Sequence, residues 1–193
     1  MRHAVIAAHP NADSFTLAAA RTYVAEVEAG GGQAVLRDLY RMQFDPALHA
    51  DELPDETGVR PRQDVVAERE LIANAGVFVF VYPFWFNGPP AMLKGYVDRV
   101  FGMGFGFEPV YGGTTPLLGG RRLLSISFSG APDAWVQETH ALDALVSGFD
   151  RHVCAVTGLA WTDHLHVGSI SPNMTREAGE LVLGQVRALA RRL

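Results

Sequence analysis

Three short stretches hold the side chains best placed to do chemistry: His9-Pro10-Asn11-Ala12-Asp13-Ser14-Phe15, Pro83-Phe84-Trp85-Phe86-Asn87-Gly88-Pro89-Pro90, and Ser127-Phe128-Ser129-Gly130-Ala131-Pro132-Asp133-Ala134-Trp135. The first runs directly into a segment with helical spacing. Free N–H groups at a helix start, the positive end of its dipole and the Ser14 hydroxyl together suit a phosphate. Asp13 opposes that use if it points inward, and either Asp13 or Ser14 can cap the helix. A plain N-cap beside a surface His9 accounts for the same residues. The second stretch sets the rings of Phe84, Trp85 and Phe86 beside an Asn-Gly-Pro-Pro turn. Flat apolar rings next to exposed backbone amides suit a large planar ligand with a polar rim, although the same rings could simply fill a core. The third offers hydroxyls, a glycine and a turn, and reads equally as an ordinary loop.

Other reactive side chains carry weaker messages. His164 and His166 alternate on one strand face, a spacing a metal could use, but no third ligand neighbours them and no metal is assigned. Cys154 sits in an apolar neighbourhood and reads as a small buried filler. Lys94 and Arg99 follow the aromatic stretch on a helical segment, where pairing with Asp98 or covering the surface explains them. A glycine-rich dinucleotide fingerprint is absent.

The elements that must position these stretches alternate in period. Strand-like runs occur at 3–8, 33–39, 76–82, 121–129 and 160–168, and helical spacing at 14–29, 62–75, 90–102, 134–149 and 175–192. That alternation predicts an α/β open parallel sheet with helices on both faces. Ligands of such sheets bind beyond the carboxyl ends of the strands, which is where all three stretches fall. Residues 41–61, with Pro46, Pro54, Gly58 and Pro61, read as an irregular excursion.

Length and composition set the outer limits. A chain of 193 residues is most simply one domain spanning 1–193. With 48% hydrophobic and 19% charged residues it buries a sizeable core rather than staying disordered. A net charge of −5 and the lack of any Lys/Arg block argue against nucleic acid as a partner. No apolar stretch approaches the ~18 residues of a membrane helix. The N-terminus lacks a signal-peptide layout and Cys154 stands alone, which fits a cytoplasmic location.

The loop HPNADSF, the DLY at 38–40 and above all the string YPFWFNGPPAMLKGYVDRVFGMGFGF at 82–107 resemble the NAD(P)H:quinone oxidoreductases (DT-diaphorase-like), a family of flavodoxin-like flavoproteins. The resemblance runs from the first strand to about Gly130 and extends to bacterial relatives that serve as ancillary subunits of potassium efflux systems. It implies a doubly wound five-stranded sheet of order 2-1-3-4-5. It also implies a flavin, FAD in preference to FMN, and ping-pong hydride transfer from NAD(P)H to a quinone. His9, Ser14 and Phe15 would then hold the flavin phosphate and ribityl chain. Pro83, Phe84, Trp85, Phe86 and Asn87 would border the ring system, and Ser127, Phe128, Ser129 and Gly130 would meet its polar edge. Phe107, in the Gly-Phe-Gly-Phe segment, would wall the quinone pocket, in its own chain or across a homodimer. The family often has Trp where this chain has Phe86, with Trp85 one place earlier. DT-diaphorase carries a Tyr and a His near the flavin; the nearest counterparts here, Trp135 and His140, lack the phenol and the spacing. His140 is therefore a candidate for stabilising charge on the reduced ring, or a helix-surface histidine. Two other functions fit the same pattern: a flavin-bearing regulatory subunit docked on a membrane transporter, and an electron carrier.

Overall fold

The run Val77-Phe78-Val79-Phe80-Val81-Tyr82-Pro83 has no polar alternation, so a strand made from it must be covered on both faces. In the computed structural model, which describes every residue except Thr57, this run is β3 (Val77–Pro83), buried along its whole length. Around it lie β1 (Arg2–Ala7), β2 (Gln33–Asp38), β6 (Arg122–Phe128) and β7 (Ala160–Val167) in one parallel sheet of order β2-β1-β3-β6-β7. Counting only these five strands, that is the 2-1-3-4-5 order that the family resemblance implies.

One face of the sheet is covered by α1 (Phe15–Ala29) and α7 (Arg176–Arg191), which enclose Val5, Tyr23, Val79, Ile126 and Val186. The other carries α2 (Gln63–Ile72), α3 (Ala91–Val100) and α4 (Asp133–Glu138), then α5 (Ala141–Leu145) and α6 (Arg151–Thr157), over Phe78, Phe80, Tyr82, Tyr96 and Phe149. Gly95 marks how closely α3 approaches the excursion: a Cβ there would stand 2.0 Å from the Pro46 carbonyl oxygen. Among the described residues no helix is long and apolar enough to cross a membrane.

Three features differ from the sequence reading. Residues 107–116 form a small antiparallel hairpin, β4 (Phe107–Val110) and β5 (Gly113–Pro116), whose exposed, Gly- and Thr-containing strands give no hydrophobic pattern. The helix expected over 134–149 breaks at His140, which adopts a left-handed conformation with φ 53°. Just before the break the Thr139 hydroxyl donates to the Trp135 carbonyl at 2.8 Å, competing with the backbone as β-branched hydroxyl residues do. The chain then continues through a π turn, Val146–Asp150, into α6.

The third difference is Arg99. Lys94 pairs with Asp98 at 2.6 Å, as its spacing suggests. Arg99 instead points inward, is 3% exposed, and holds the excursion 41–61, in which Thr57 lies outside the described residues. Its guanidinium donates to Glu52 Oε2 at 3.0 Å, to Asp64 Oδ2 at 2.7 Å and to the Asp45 carbonyl at 2.6 Å. Arg99 holds the carboxyls of Glu52 and Asp64 below their usual range, against the opposing effect of burial. Replacing Arg99 with Met leaves the Glu52 carboxylate buried and unpaired, so Arg99→Met should cost about 3–5 kcal/mol. Urea unfolding of the two proteins side by side measures this, with a loss below about 1 kcal/mol contradicting the clamp.

Candidate functional site

Three loops meet where β1, β3 and β6 end. The register of β3 on β6 runs to Pro83↔Phe128, and the pairing continues one step further, with the Phe84 N–H donating to the Phe128 carbonyl at 2.7 Å. The Ala8 N–H similarly donates to the Val81 carbonyl at 3.1 Å. Loops that leave a parallel sheet at one level are forced into each other's company.

The loop after β1 is shaped by hydrogen bonds to its own side chains and to two arginines. The Asn11 N–H donates to His9 Nδ1 at 3.1 Å, and the Asp13 N–H to Asn11 Oδ1 at 2.9 Å. Arg41 donates to the carbonyls of His9 and Pro10, and Arg21 to that of Ala12. With these carbonyls drawn to guanidinium groups, the loop carries positive charge around it and leads into the amino end of α1. Ser14, not Asp13, is the cap: its Oγ accepts the Leu17 N–H at 3.3 Å. Partial burial, together with the Arg41 charge, lowers the His9 pKa despite its contact with the Asn11 backbone. Phe15 packs edge-on against Phe128, with centroids 5.3 Å apart.

The loop after β3 divides its aromatics. Phe84 is buried, with its ring edge-on to His166 at 5.0 Å. Trp85 is half exposed and leans on His9, 5.7 Å between ring centres. Phe86 is wholly exposed, and Phe86 and Asn87 both have positive φ, at 49° and 59°. Trp85 and Gly88 exchange backbone hydrogen bonds in both directions, so the four residues close a tight turn of the kind that needs positive φ at both central positions. A phenylalanine there is strained, and its ring is carried out of the fold instead of into the core.

Phe84, Phe86, Asn87, Ser129, Gly130, Ala131 and Trp135 line a hollow of ≈ 380 Å³ at this rim. The structure thus brings together six of the residues singled out in the sequence, and sets His9, Ser14, Phe15, Pro83 and Trp85 in the adjoining loops. Phe128 is buried beneath them. Ser127 does not reach the hollow: it is fully buried, with its hydroxyl held between His164 and His166. His140 does not line the hollow either; it is exposed on the turn before α5, 3.2 Å from Asp143. Phe107 lines a different cavity, of ≈ 340 Å³, with Leu53, Val97, Met103 and Val156.

Sequence reasoning missed Arg41 and Arg21, whose role depends on contacts across the fold, and missed the link from His164 and His166 to the serines of β6. Two serines at alternate positions of β6, with a third at the same spacing just beyond it, were the available signal. Among the described residues no cluster of His, Cys, Asp and Glu is arranged to hold a metal ion. Cys154 is buried, and burial with the nearby Asp150 charge pushes its thiol up to about 12.

The sequence matches the model of the flavodoxin-like fold family over residues 1–189. It is 38% identical over 125 residues to a Haemophilus influenzae protein named as an uncharacterized NAD(P)H oxidoreductase, covering 64% of this chain and 61% of the relative. It is 28% identical over 123 residues to NAD(P)H dehydrogenase (quinone) 1 of Cavia porcellus, covering 55% of this chain and 45% of the relative. The matches thus span about half the length of these curated relatives. Among solved structures, an NAD(P)H:quinone oxidoreductase from Methanothermobacter marburgensis aligns over 100% of this chain and 96% of its own, with TM-score 0.87 and 25% identity. An FMN-dependent NADH-azoreductase from Bacillus anthracis, 18% identical with TM-score 0.68, shares the fold.

The cap at the head of α1 can be tested on its own. Ser14→Ala removes the acceptor of the Leu17 N–H and should destabilise the protein by about 1 kcal/mol, read from the urea midpoint. Ser14→Asp, which restores an acceptor, should recover most of that loss.

Proposed function

We propose that this chain, which belongs to the flavodoxin-like family through a match spanning residues 1–189, is a flavin-dependent NAD(P)H:quinone oxidoreductase. The observation that carries the reading is the hollow at the carboxyl ends of β3 and β6, walled by Phe84, Phe86, Ser129 and Trp135 beside an uncovered Trp85. Rings held out of the core at such a rim match a planar heterocycle in size and polarity.

The residues present fit a flavin. The loop 9–14 and the start of α1 would receive its phosphate, with Ser14 as cap and Arg41 and Arg21 supplying positive charge behind the loop. Phe86 and Asn87, on their tight turn, would border the ring system, with Trp85 between it and His9. Gly130 and Ala131 would present backbone to its polar edge. A bound flavin would supply the chemistry of accepting and releasing hydride, and the residues lining the hollow would orient it. NAD(P)H and quinone taking turns at that hollow would give ping-pong kinetics. The position of His140 lends no support to a catalytic role, since its side chain is exposed, 3.2 Å from Asp143, and does not line the hollow. Phe107 lines the other cavity of its own chain, so as a pocket wall it would serve a second copy in a homodimer.

Purified protein should be yellow, and the chromophore released by denaturation should have the mass of FAD or FMN. NADH or NADPH should bleach it, and menadione should restore the colour with turnover. A preparation that refuses added flavin, or that is reconstituted and neither bleaches nor reduces any quinone, contradicts the reading. Trp85→Ala combined with Phe86→Ala should release flavin at least tenfold more readily. Both rings are at least 44% exposed, so the urea midpoint should stay close to that of the parent. Full flavin occupancy in the double variant would reduce both rings to surface decoration.

A further inference from the structure

A line of hydrogen-bonded polar side chains leads from the hollow into the core. Ser125, Ser127 and Ser129 share one face of β6 and its continuation, because side chains repeat every second residue along a strand. The register of β6 on β7 sets Ser125 opposite His164 and Ser127 opposite His166. His166 Nε2 lies 3.1 Å from Ser129 Oγ, and its Nδ1 lies 2.9 Å from Ser127 Oγ. Ser127 Oγ is 2.7 Å from His164 Nε2, and His164 Nδ1 is 2.5 Å from Asp150 Oδ2. The Ser125 hydroxyl donates to the other carboxylate oxygen, Asp150 Oδ1, at 2.9 Å. Asp150 closes the π turn and is fully buried, as are Ser125 and Ser127; Ser129 lines the hollow.

Asp150, His164 and Ser127 have the connectivity of a nucleophilic triad. Ser127 has no accessible surface, however, and its hydroxyl has a second partner in His166, so no acyl group can reach it. Proton movement is what remains open to such a chain.

Its hydrogen bonds can be ordered in two ways. In the inward order Ser129 donates to His166 Nε2, His166 Nδ1–H to Ser127, Ser127 to His164 Nε2, and His164 Nδ1–H to the Asp150 carboxylate. In the outward order Ser129 donates to the Ala131 carbonyl, 2.9 Å away. His166 Nε2–H then donates to Ser129, Ser127 to His166 Nδ1 and His164 Nε2–H to Ser127, while His164 Nδ1 keeps its proton against Asp150. The outward order holds one proton more. A proton arriving at Ser129 Oγ displaces that hydroxyl's own proton to His166. His166 passes its Nδ1 proton to Ser127, and Ser127 passes its proton to His164 Nε2, leaving an imidazolium against a carboxylate. Each bond broken is matched by one formed.

We propose that Ser129, His166, Ser127, His164 and Asp150 form a proton relay that exchanges one proton between the hollow and the buried His164–Asp150 pair. Its use in turnover rests on the quinone reductase reading: hydride brings a quinone two electrons and one proton, and the hydroquinone needs a second proton. The relay itself rests on the geometry alone.

The surroundings suit this use. Burial lowers the His166 pKa, with Asp133 on α4 opposing and the His164 charge acting in the same sense as burial, which favours the neutral ring. Tyr82 on β3 faces His164 edge-on at 6.2 Å; burial, then the Asp150 charge, raises its pKa well above the ordinary phenol value. Cys154 on α6 is likewise held protonated. Neither competes for the proton. Asp163 accepts the His164 backbone N–H and is tied to Arg192, and Arg151 lies over the Trp161 ring.

The test is histidine ring nitrogen NMR on the protein as purified, from about pH 5 to 9, across the ordinary imidazole range. In the parent, the tautomer of His166 and the protonation of His164 should change at one shared midpoint. Ser127→Ala should separate the two midpoints by a factor of ten or more in proton affinity. His166→Gln keeps hydrogen-bonding capacity but cannot hand on a proton, and should stop His164 from responding to reduction of a bound flavin; it also serves if Ser127→Ala fails to fold. Separate midpoints in the parent, rings that do not titrate, or midpoints unmoved by Ser127→Ala would overturn the relay. A colourless protein that still shows the shared midpoint would uphold the relay while defeating the flavin reading.

Discussion

The rim of this protein depends on the register of two buried parallel strands. β3 and β6 pair from Val77↔Arg122 to Pro83↔Phe128 and release their chains at the same level. Side chains alternate between faces, so a slip of one residue would exchange the faces of β6. Ser125 and Ser127 would then face the packing around Val79 and Val186, and Ile126 would face Asp150. The burial of β3 on both sides makes that slip costly, because each of its side chains already has a fitted neighbour. The aromatic turn and the serine-bearing loop are neighbours only while this register holds.

Burying polar side chains under a sheet is expensive unless each finds a partner. Here Asp150, His164, His166 and the three serines satisfy one another, with the Ala131 carbonyl closing the outer end. The contrast lies close by: among the described residues, Trp161 Nε1 is buried without a hydrogen-bond partner. The rings of Tyr82 and Phe84 pack edge-on against His164 and His166, and low polarity beside a hydrogen bond strengthens it. Arg99 follows the same principle on α3, where two carboxylates and a carbonyl surround one guanidinium. In both places a fully connected polar group fixes the position of an element that apolar packing alone would leave loose.

The aromatic turn works in the opposite sense. Positive φ at Phe86 and Asn87 swings a large ring into the open, although most phenylalanines of this chain lie buried. Trp85, one position before the place where the family often has Trp, turns toward His9 and bridges the first two loops. The four-residue turn thus gives the two adjacent rings different surroundings, Trp85 against His9 and Phe86 in the open.

Much of this architecture was legible in the residues alone. Short uninterrupted apolar runs rich in β-branched and aromatic residues, such as 77–82, point to fully buried strands, and the helical spacing between them points to an α/β fold. The three rim loops could be named because their place follows from strand direction. The hairpin at 107–116, the break at His140, the inward turn of Arg99 and the pairing of Ser127 with two histidines were not legible. Each joins residues distant in the chain, or depends on a backbone torsion that no local pattern announces: Arg99 meets Glu52 47 residues away, and Ser127 meets His164 across 37. By itself the sequence determined the period of each element, hence the sheet and the rim at which chemistry gathers, because periodicity is a local property of the chain. Only the tertiary structure decided which hydroxyl faces the hollow and which faces a histidine, because that choice is made by strand register and by the desolvation of groups that meet only in the folded chain.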